Sequence, residues 1–265
     1  MSSRPLGILD SGVGGLSVLT EIRQLLPHED LIYFADSGNC PYGVRPAAEI
    51  RALTERVARF LLAQGAKALV IACNTASTAS VAYLRQLFPD VPIVGMVPAV
   101  KPAAAVSHNG VVGVLATEAT GQAPALLEVI DRFASDLQVL ICTPPGLVEA
   151  VEAGQQDSPA TAAILQEYLT PLVEQGADAL VLGCTHFPFL RSTIERLFGD
   201  KLQLIDSGEA VARQTRRVLE STNLMNPQTQ PGSLKIYTSG DPDQVAQVVR
   251  LLINLPETPS VYYAP

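Results

Sequence analysis

No stretch of this sequence stays apolar for the ~18 residues that a membrane-crossing helix requires, so the chain is not expected to span a bilayer. The opening residues, MSSRPLGILDSG, lack the long apolar core and cleavage site of a secretory signal, which places the expected site of action in the cytoplasm. Basic charge is also short. Lys and Arg number 18 against 26 Asp and Glu, a formal net charge of −8. Phosphate backbones need a basic surface, so nucleic acid is excluded as an obligate partner. An anionic small molecule held by backbone N–H groups is not. Cysteine is scarce: Cys40, Cys73, Cys142 and Cys184 form neither a CxxC pair nor a zinc-ligand spacing. No metal is expected from them, and in a reducing compartment they should be thiols. Low-complexity sequence is absent. Nearly half the residues are apolar and Gly and Pro are near average, so the chain is globular rather than disordered.

What the sequence does contain is a repeat. Gln64–Ser77 reads QGAKALVIACNTAS and Gln175–Pro188 reads QGADALVLGCTHFP, aligned without a gap. Cys73 and Cys184 are 111 positions apart (184 less 73). Downstream, LRQLF at Leu84–Phe88 answers IERLF at Ile194–Phe198, now 110 apart, so one residue has been lost. Upstream, GILDS from Gly7 answers GVLAT from Gly113. The unit is too long for a solenoid.

Short apolar runs predict strands at Leu6–Leu9, Leu31–Ala35, Ala68–Ala72, Ile93–Gly95, Val111–Leu115, Gln138–Ile141, Ala179–Leu182, Gln203–Ile205 and Leu234–Tyr237. Helical patterns lie between them, at Ala47–Gln64, Ala76–Phe88, Ala160–Gln175, Glu209–Glu220 and Pro242–Leu252. The strands are apolar on both faces, as in covered parallel sheets. The alternation predicts an α/β fold with right-handed connections. With the repeat, it predicts two pseudo-symmetric lobes with an active site in the cleft between them. Residues 1–97 and 207–265 would build the first lobe and 98–206 the second.

Ligands of open α/β sheets sit beyond the carboxyl ends of the strands. Those ends carry Asp10-Ser11-Gly12-Val13-Gly14-Gly15, Asp36–Gly43, Cys73-Asn74-Thr75, Ala116–Thr120 and Cys184-Thr185-His186. Two similar lobes facing each other would bring the two cysteines to opposite sides of one ligand. That arrangement suits inversion at a carbon bearing hydrogen, where one group removes a proton from one face and the other delivers one to the opposite face. One cysteine must then be thiolate and the other thiol. His186, two positions after Cys184, and Asp10, at the end of a neighbouring strand, are placed to relay protons. The loops Ser11–Gly15, Tyr42-Gly43, Asn74-Thr75 and Thr185 supply the N–H and hydroxyl donors that hold carboxylates.

Blander readings stand beside these. Cys40 and Cys142 read as small core residues. Asp10 and Asp206 both suit a helix cap, and Tyr42-Gly43 suits an ordinary turn. Gly12-Val13-Gly14-Gly15 after a strand suggests a dinucleotide loop, but the third glycine of GxGxxG falls on Ser17.

At these residues the sequence resembles the glutamate racemases of the aspartate/glutamate racemase superfamily. The resemblance rests on GILDSGVGGLSVL, YFADSGNCPYG, ALVIACNTAS, VPIVGMVPAVKPA, VLGCTHFPFL and LIDSGEAVA, which together span nearly the whole chain. It implies two α/β lobes, often as a homodimer, and cofactor-free interconversion of L- and D-glutamate for peptidoglycan synthesis. It implies that Cys184 takes the proton of L-glutamate and Cys73 that of D-glutamate, with Asp10 supporting Cys73 and His186 supporting Cys184. Ser11, Tyr42, Gly43, Asn74, Thr75 and Thr185 would bind substrate, with Thr117 and Thr120 as lesser candidates. Glu152 matches a glutamate that the family places near the second cysteine. Two positions depart from the family: Ala123, followed by Pro124, stands where a serine is frequent, and Cys40 where an aromatic or aliphatic residue is common. An aspartate racemase would share the thiol chemistry, but the DSGVGG start and the histidine after the second cysteine favour glutamate. Some family members also bind DNA gyrase, which leaves an interaction protein as the remaining alternative.

Overall fold

The computed structural model describes residues 1–254 and 260–265. Its strands are β1 (Leu6–Asp10), β2 (Leu31–Ala35), β3 (Ala68–Ile71), β4 (Ile93–Val94), β5 (Val111–Leu115), β6 (Gln138–Cys142), β7 (Ala179–Leu182), β8 (Gln203–Ile205), β9 (Leu234–Thr238) and β10 (Val261–Tyr263). Its α-helices are α1 (Leu16–Leu25), α2 (Ala47–Ala63), α3 (Asn74–Leu87), α4 (Val100–Val106), α5 (Glu118–Gly121), α6 (Pro124–Phe133), α7 (Leu147–Glu152), α8 (Pro159–Glu174), α9 (Arg191–Phe198), α10 (Gly208–Ser221) and α11 (Pro242–Leu252). The strands form two sheets, ordered β10-β9-β2-β1-β3-β4 and β6-β5-β7-β8. Every strand pairing is parallel. The fold is therefore α/β, as the alternation predicts, and the block β2-β1-β3-β4 recurs as β6-β5-β7-β8.

The repeat reaches into side-chain packing. Gly7 lies opposite Leu69 and Gly113 opposite Leu180, the same register in each sheet. A Cβ on Gly7 would lie 3.0 Å from Leu69 and 3.3 Å from Leu61, and one on Gly113 2.9 Å from Leu172 and Leu180. Both glycines let a crossover helix close onto its strand. Those helices, α2 and α8, share little sequence. Yet Ile50, Thr54, Ala58 and Leu61 are buried in one, and Thr161, Leu165, Leu169 and Leu172, each 111 positions later, in the other. Both helices end alike. Gly65 (φ 88°) and Gly176 (φ 94°) turn left-handed, and the next N–H, of Ala66 or Ala177, returns 3.0 Å to the carbonyl of Leu61 or Leu172. Glycine is favoured there because it alone takes this turn without strain.

After Ser207 the chain returns to the first sheet. Helix α10 packs on α1, and β9 pairs with β2. The Ser207 hydroxyl donates to the Val97 carbonyl at 2.8 Å, tying together the two strands of chain that cross between sheets. A buried ion pair, Lys67 Nζ to Glu29 Oε2 at 2.5 Å, fastens the base of the first sheet. Lys67 also donates to the Ser2 carbonyl, and Glu29 accepts from the Asn226 N–H.

Two strands differ from the sequence-based expectation. Strand β6 has exposed positions, including Ile141. It is an edge strand, so one side of it lacks a neighbour. Strand β10 is not anticipated at all, because three residues give no periodic signal. No helix among the described residues is long and apolar enough to cross a membrane.

Candidate active site

The carboxyl ends of β1 and β3 meet those of β5 and β7. Cys73 follows β3 and is the N-cap of α3. Its Sγ accepts the Ala76 N–H at 3.4 Å, and its thiol approaches the Ser11 hydroxyl at 3.7 Å. Burial pushes this thiol well above its ordinary pKa, and charge on Asp10 and on Cys184 raises it further.

Cys184 occupies the matching position after β7, with a different neighbour. In the first copy the Ser77 N–H bonds the Cys73 carbonyl at 2.8 Å and closes an α-helical turn. The counterpart of Ser77 is Pro188, which has no N–H. The turn tightens instead, with the Phe187 N–H on the Cys184 carbonyl at 3.1 Å. A 3₁₀ turn covers Phe187–Leu190, and α9 starts only at Arg191. In this turn His186 folds back, Nδ1 lying 3.7 Å from Cys184 Sγ. Its Nε2 lies 2.6 Å from Glu152 Oε1. A carboxylate only accepts, so Nε2 carries a hydrogen and Nδ1 faces the thiol. Burial alone would lower the His186 pKa. Hydrogen bonds to Cys184, Cys40 and Glu152 outweigh it and hold the imidazole protonated well above its ordinary range.

Asp10 ends β1, fully buried. Its Oδ2 accepts the Gly12 and Gly15 N–H groups at 3.2 and 2.9 Å, and Oδ1 accepts the Thr185 hydroxyl at 3.3 Å. It therefore braces the glycine loop and reaches the second cysteine's loop as well. Burial raises its pKa from 3.8 to about 6, against the lowering pull of His186 and the two N–H groups.

Glu152, the last residue of α7, joins the two sides. Oε1 accepts the Val13 N–H at 2.6 Å as well as bonding His186, and Oε2 accepts the Ser37 hydroxyl at 3.3 Å. This approach needs the bare backbone of the loop. A Cβ on Gly12 would sit 2.0 Å from Glu152 Oε1, and one on Gly14 2.3 Å from His186 Nδ1. The loop glycines therefore serve contact between the lobes, not a dinucleotide.

The remaining expected residues fall into place unequally. Ser11, Asn74, Thr75 and Thr185 are buried around the thiols. Neither polar atom of the Asn74 side chain has a hydrogen-bond partner among the described residues, an arrangement that natural cores avoid unless a ligand or water supplies one. Thr75 meets Thr117 and Thr120 across the cleft at 3.1 and 3.2 Å. The Tyr42 hydroxyl is already engaged, donating to Asp36 at 2.5 Å. Its one hydrogen is thereby committed to Asp36. Gly43 packs against Thr117, 2.9 Å from where its Cβ would be. A cavity of about 110 Å³ between Gly43 and Val44 on one side and Thr117 and Phe187 on the other opens beside the site. A larger groove of about 720 Å³ lies between α1 and α10 and holds none of these residues.

Two of the bland readings hold. Asp206 caps α10 through the Gly208 N–H at 2.9 Å and pairs with Arg191. Cys142 is buried, its thiol pushed up to about 12 by burial. Cys40 is different: its Sγ lies within 4.8 Å of donor atoms of both Glu152 and His186. Sequence spacing could not show this, since the three residues come from distant segments.

A fold of two parallel sheets with thiols at equivalent strand ends defines a class, and sequence comparison agrees with it. Residues 11–215 match the family model described as Asp/Glu/Hydantoin racemase, and the chain belongs to that family. Within it, similar proteins include glutamate racemases. That of Herpetosiphon aurantiacus is 51% identical over 252 residues, covering 95% of this chain and 99% of its own. A glutamate racemase isoform from Bacillus anthracis superposes with a TM-score of 0.87 at 30% identity, over 100% of this chain and 98% of that one. The Escherichia coli enzyme, solved with L-glutamate and the activator UDP-MurNAc-ala, superposes with a TM-score of 0.85 at 34% identity, over 98% and 97%.

Proposed function

We propose that the protein interconverts L- and D-glutamate by two-base proton transfer between Cys73 and Cys184, without cofactor or metal. The observation that carries this reading is the pair of buried thiols at equivalent strand ends, each with its own hydrogen-bonding neighbour. From L-glutamate, Cys184 as thiolate takes the α-proton, and the Cys73 thiol delivers a proton to the opposite face. From D-glutamate the roles reverse. His186 returns or accepts the Cys184 proton through Nδ1, with Glu152 holding the ring. Asp10 acts on Cys73 through its charge, and a pKa of about 6 is close to that of an efficient proton carrier near neutrality.

The free N–H groups of Asn74 and Thr75 open α3 and have no acceptor within the helix. They suit a substrate carboxylate, with Ser11, the Asn74 amide, Thr185 and the main chain of Tyr42 and Gly43 completing the hold. The same reading divides the chain into lobes 1–97 with 207–265 and 98–206. It makes the protein a cytoplasmic homodimer that supplies D-glutamate to peptidoglycan synthesis.

The test is proton NMR of the purified protein with L-glutamate in D₂O, with circular dichroism on the same sample. Loss of the Cα proton together with decay of the optical signal to zero is the expected result. Exchange with aspartate alone would keep the chemistry and change the substrate. No exchange with either would overturn the reading.

A further inference from the structure

The mechanism above leaves Cys40 unused, although it stands at the heart of the site. It follows β2 on the loop that also carries Ser37, and it is only partly buried. Donor atoms of Cys40, Glu152 and His186 all lie within 4.8 Å of one another. Each comes from a different element: the loop after β2, the end of α7 and the turn after β7.

We propose that Cys40, Glu152 and His186 form an inhibitory site for a borderline divalent cation, with Zn²⁺ as the ion that fits it. Thiolate, imidazole and one carboxylate are the ligand types zinc takes, whereas magnesium and calcium take oxygen. Bond lengths of about 2.0–2.3 Å put the donors of a tetrahedral zinc roughly 3.3–3.7 Å apart. The Glu152–His186 pair at 2.6 Å must therefore open slightly, while the Cys40 side chain closes in. Three protein ligands leave a fourth position for water. Binding displaces the Cys40 thiol proton and the hydrogen on the coordinating imidazole nitrogen, both to solvent.

The consequence follows from what the ion takes away. It claims the carboxylate that orients His186 and the ring that serves Cys184. Racemisation should stop while the fold persists, and a chelator should restore it. This inhibitory arm rests on the proposed function; the binding arm does not.

The experiment separates the two. Co²⁺, a coloured stand-in for zinc, is added to the full-length Cys73→Ala/Cys184→Ala variant, which keeps all three proposed ligands. A thiolate-to-cobalt absorption band is expected, and it should vanish when Cys40→Val is added to that variant. Zn²⁺ should displace the cobalt and bleach the band. X-ray absorption of zinc on the wild-type chain should show one sulfur ligand with nitrogen and oxygen. In parallel, the zinc concentration that halves wild-type turnover should rise at least tenfold in Cys40→Val. A band unaffected by Cys40→Val, or two sulfur ligands in the wild type, would put the ion on other thiols and overturn the site. Zinc bound through Cys40 to a racemase whose turnover is unchanged would overturn the inhibitory role. Zinc bound through Cys40 to a protein that exchanges no substrate proton would sustain the site and sink the proposed function instead.

Discussion

Pro188 stands 111 positions after Ser77, and this pair decides what each cysteine touches. Ser77 has an N–H and closes a helical turn over Cys73. Pro188 has none, and the tightened turn brings His186 to within 3.7 Å of Cys184. One thiol is served by a helix N-terminus and the other by an imidazole.

On the proposed two-base scheme, removing either thiol removes the acid or base of one face. Cys73→Ala and Cys184→Ala should each lower racemisation by at least the ~10²–10⁴-fold that a positioned acid–base group contributes. Circular dichroism with each enantiomer measures this. Full turnover in either variant would refute the two-base scheme.

Asp10 should make stability depend on pH. Its folded pKa of about 6 lies above the 3.8 of an unperturbed carboxyl, so between those values the native state binds the extra proton. Stability gained from the protonated group is complete below about pH 4 and lost as the pH rises through 6. Denaturant unfolding should therefore show wild type losing about 2 kcal/mol relative to Asp10→Asn between pH 4 and pH 7. A difference independent of pH would show that the buried carboxyl ionises freely.

The glycine loop should tolerate no side chain where the lobes touch. Gly14→Ala places a methyl where His186 stands, 2.3 Å from Nδ1. Displacing a catalytic group by ~1 Å costs about 10²-fold in rate. We expect a loss of that order with the far-ultraviolet spectrum intact. Near-normal turnover would mean that the lobes need not meet this closely.

The ion pair under the first sheet is a stability element remote from the chemistry. Lys67→Ala leaves Glu29 buried and unpaired, a loss of about 3–5 kcal/mol. Lys67→Met with Glu29→Leu should recover much of it. Urea midpoints of the three proteins decide the matter.

Much of this fold is legible in the sequence. The strand-end cysteines, the α/β alternation and the two-lobed plan came from a repeat in sequence, because buried parallel strands and their crossovers write apolar runs at fixed spacing. His186 was legible through its neighbour Cys184. The starts of helices were less so: α3 begins at Asn74, earlier than its apolar pattern, because Cys73 itself caps it. The bond from the Tyr42 hydroxyl to Asp36 was not legible, since nothing in YFADSGNCPYG shows that Asp36 folds back to accept it. Cys40 packs against the core, as its reading as a core residue expects, but its approach to Glu152 and His186 was not legible for the same reason. Contacts among distant segments leave no trace in local pattern.

L- and D-glutamate have the same free energy in water, so the equilibrium between them stands at unity whatever catalyst joins them. The ratio kcat/KM must then be equal from either side, however unlike the surroundings of Cys73 and Cys184. The asymmetry that Pro188 introduces can appear only as kcat and KM moving together for one enantiomer. A racemase built from two copies of one unit is thereby free to let its halves drift apart. Whatever preference in affinity that drift creates is cancelled in turnover and never reaches the final mixture.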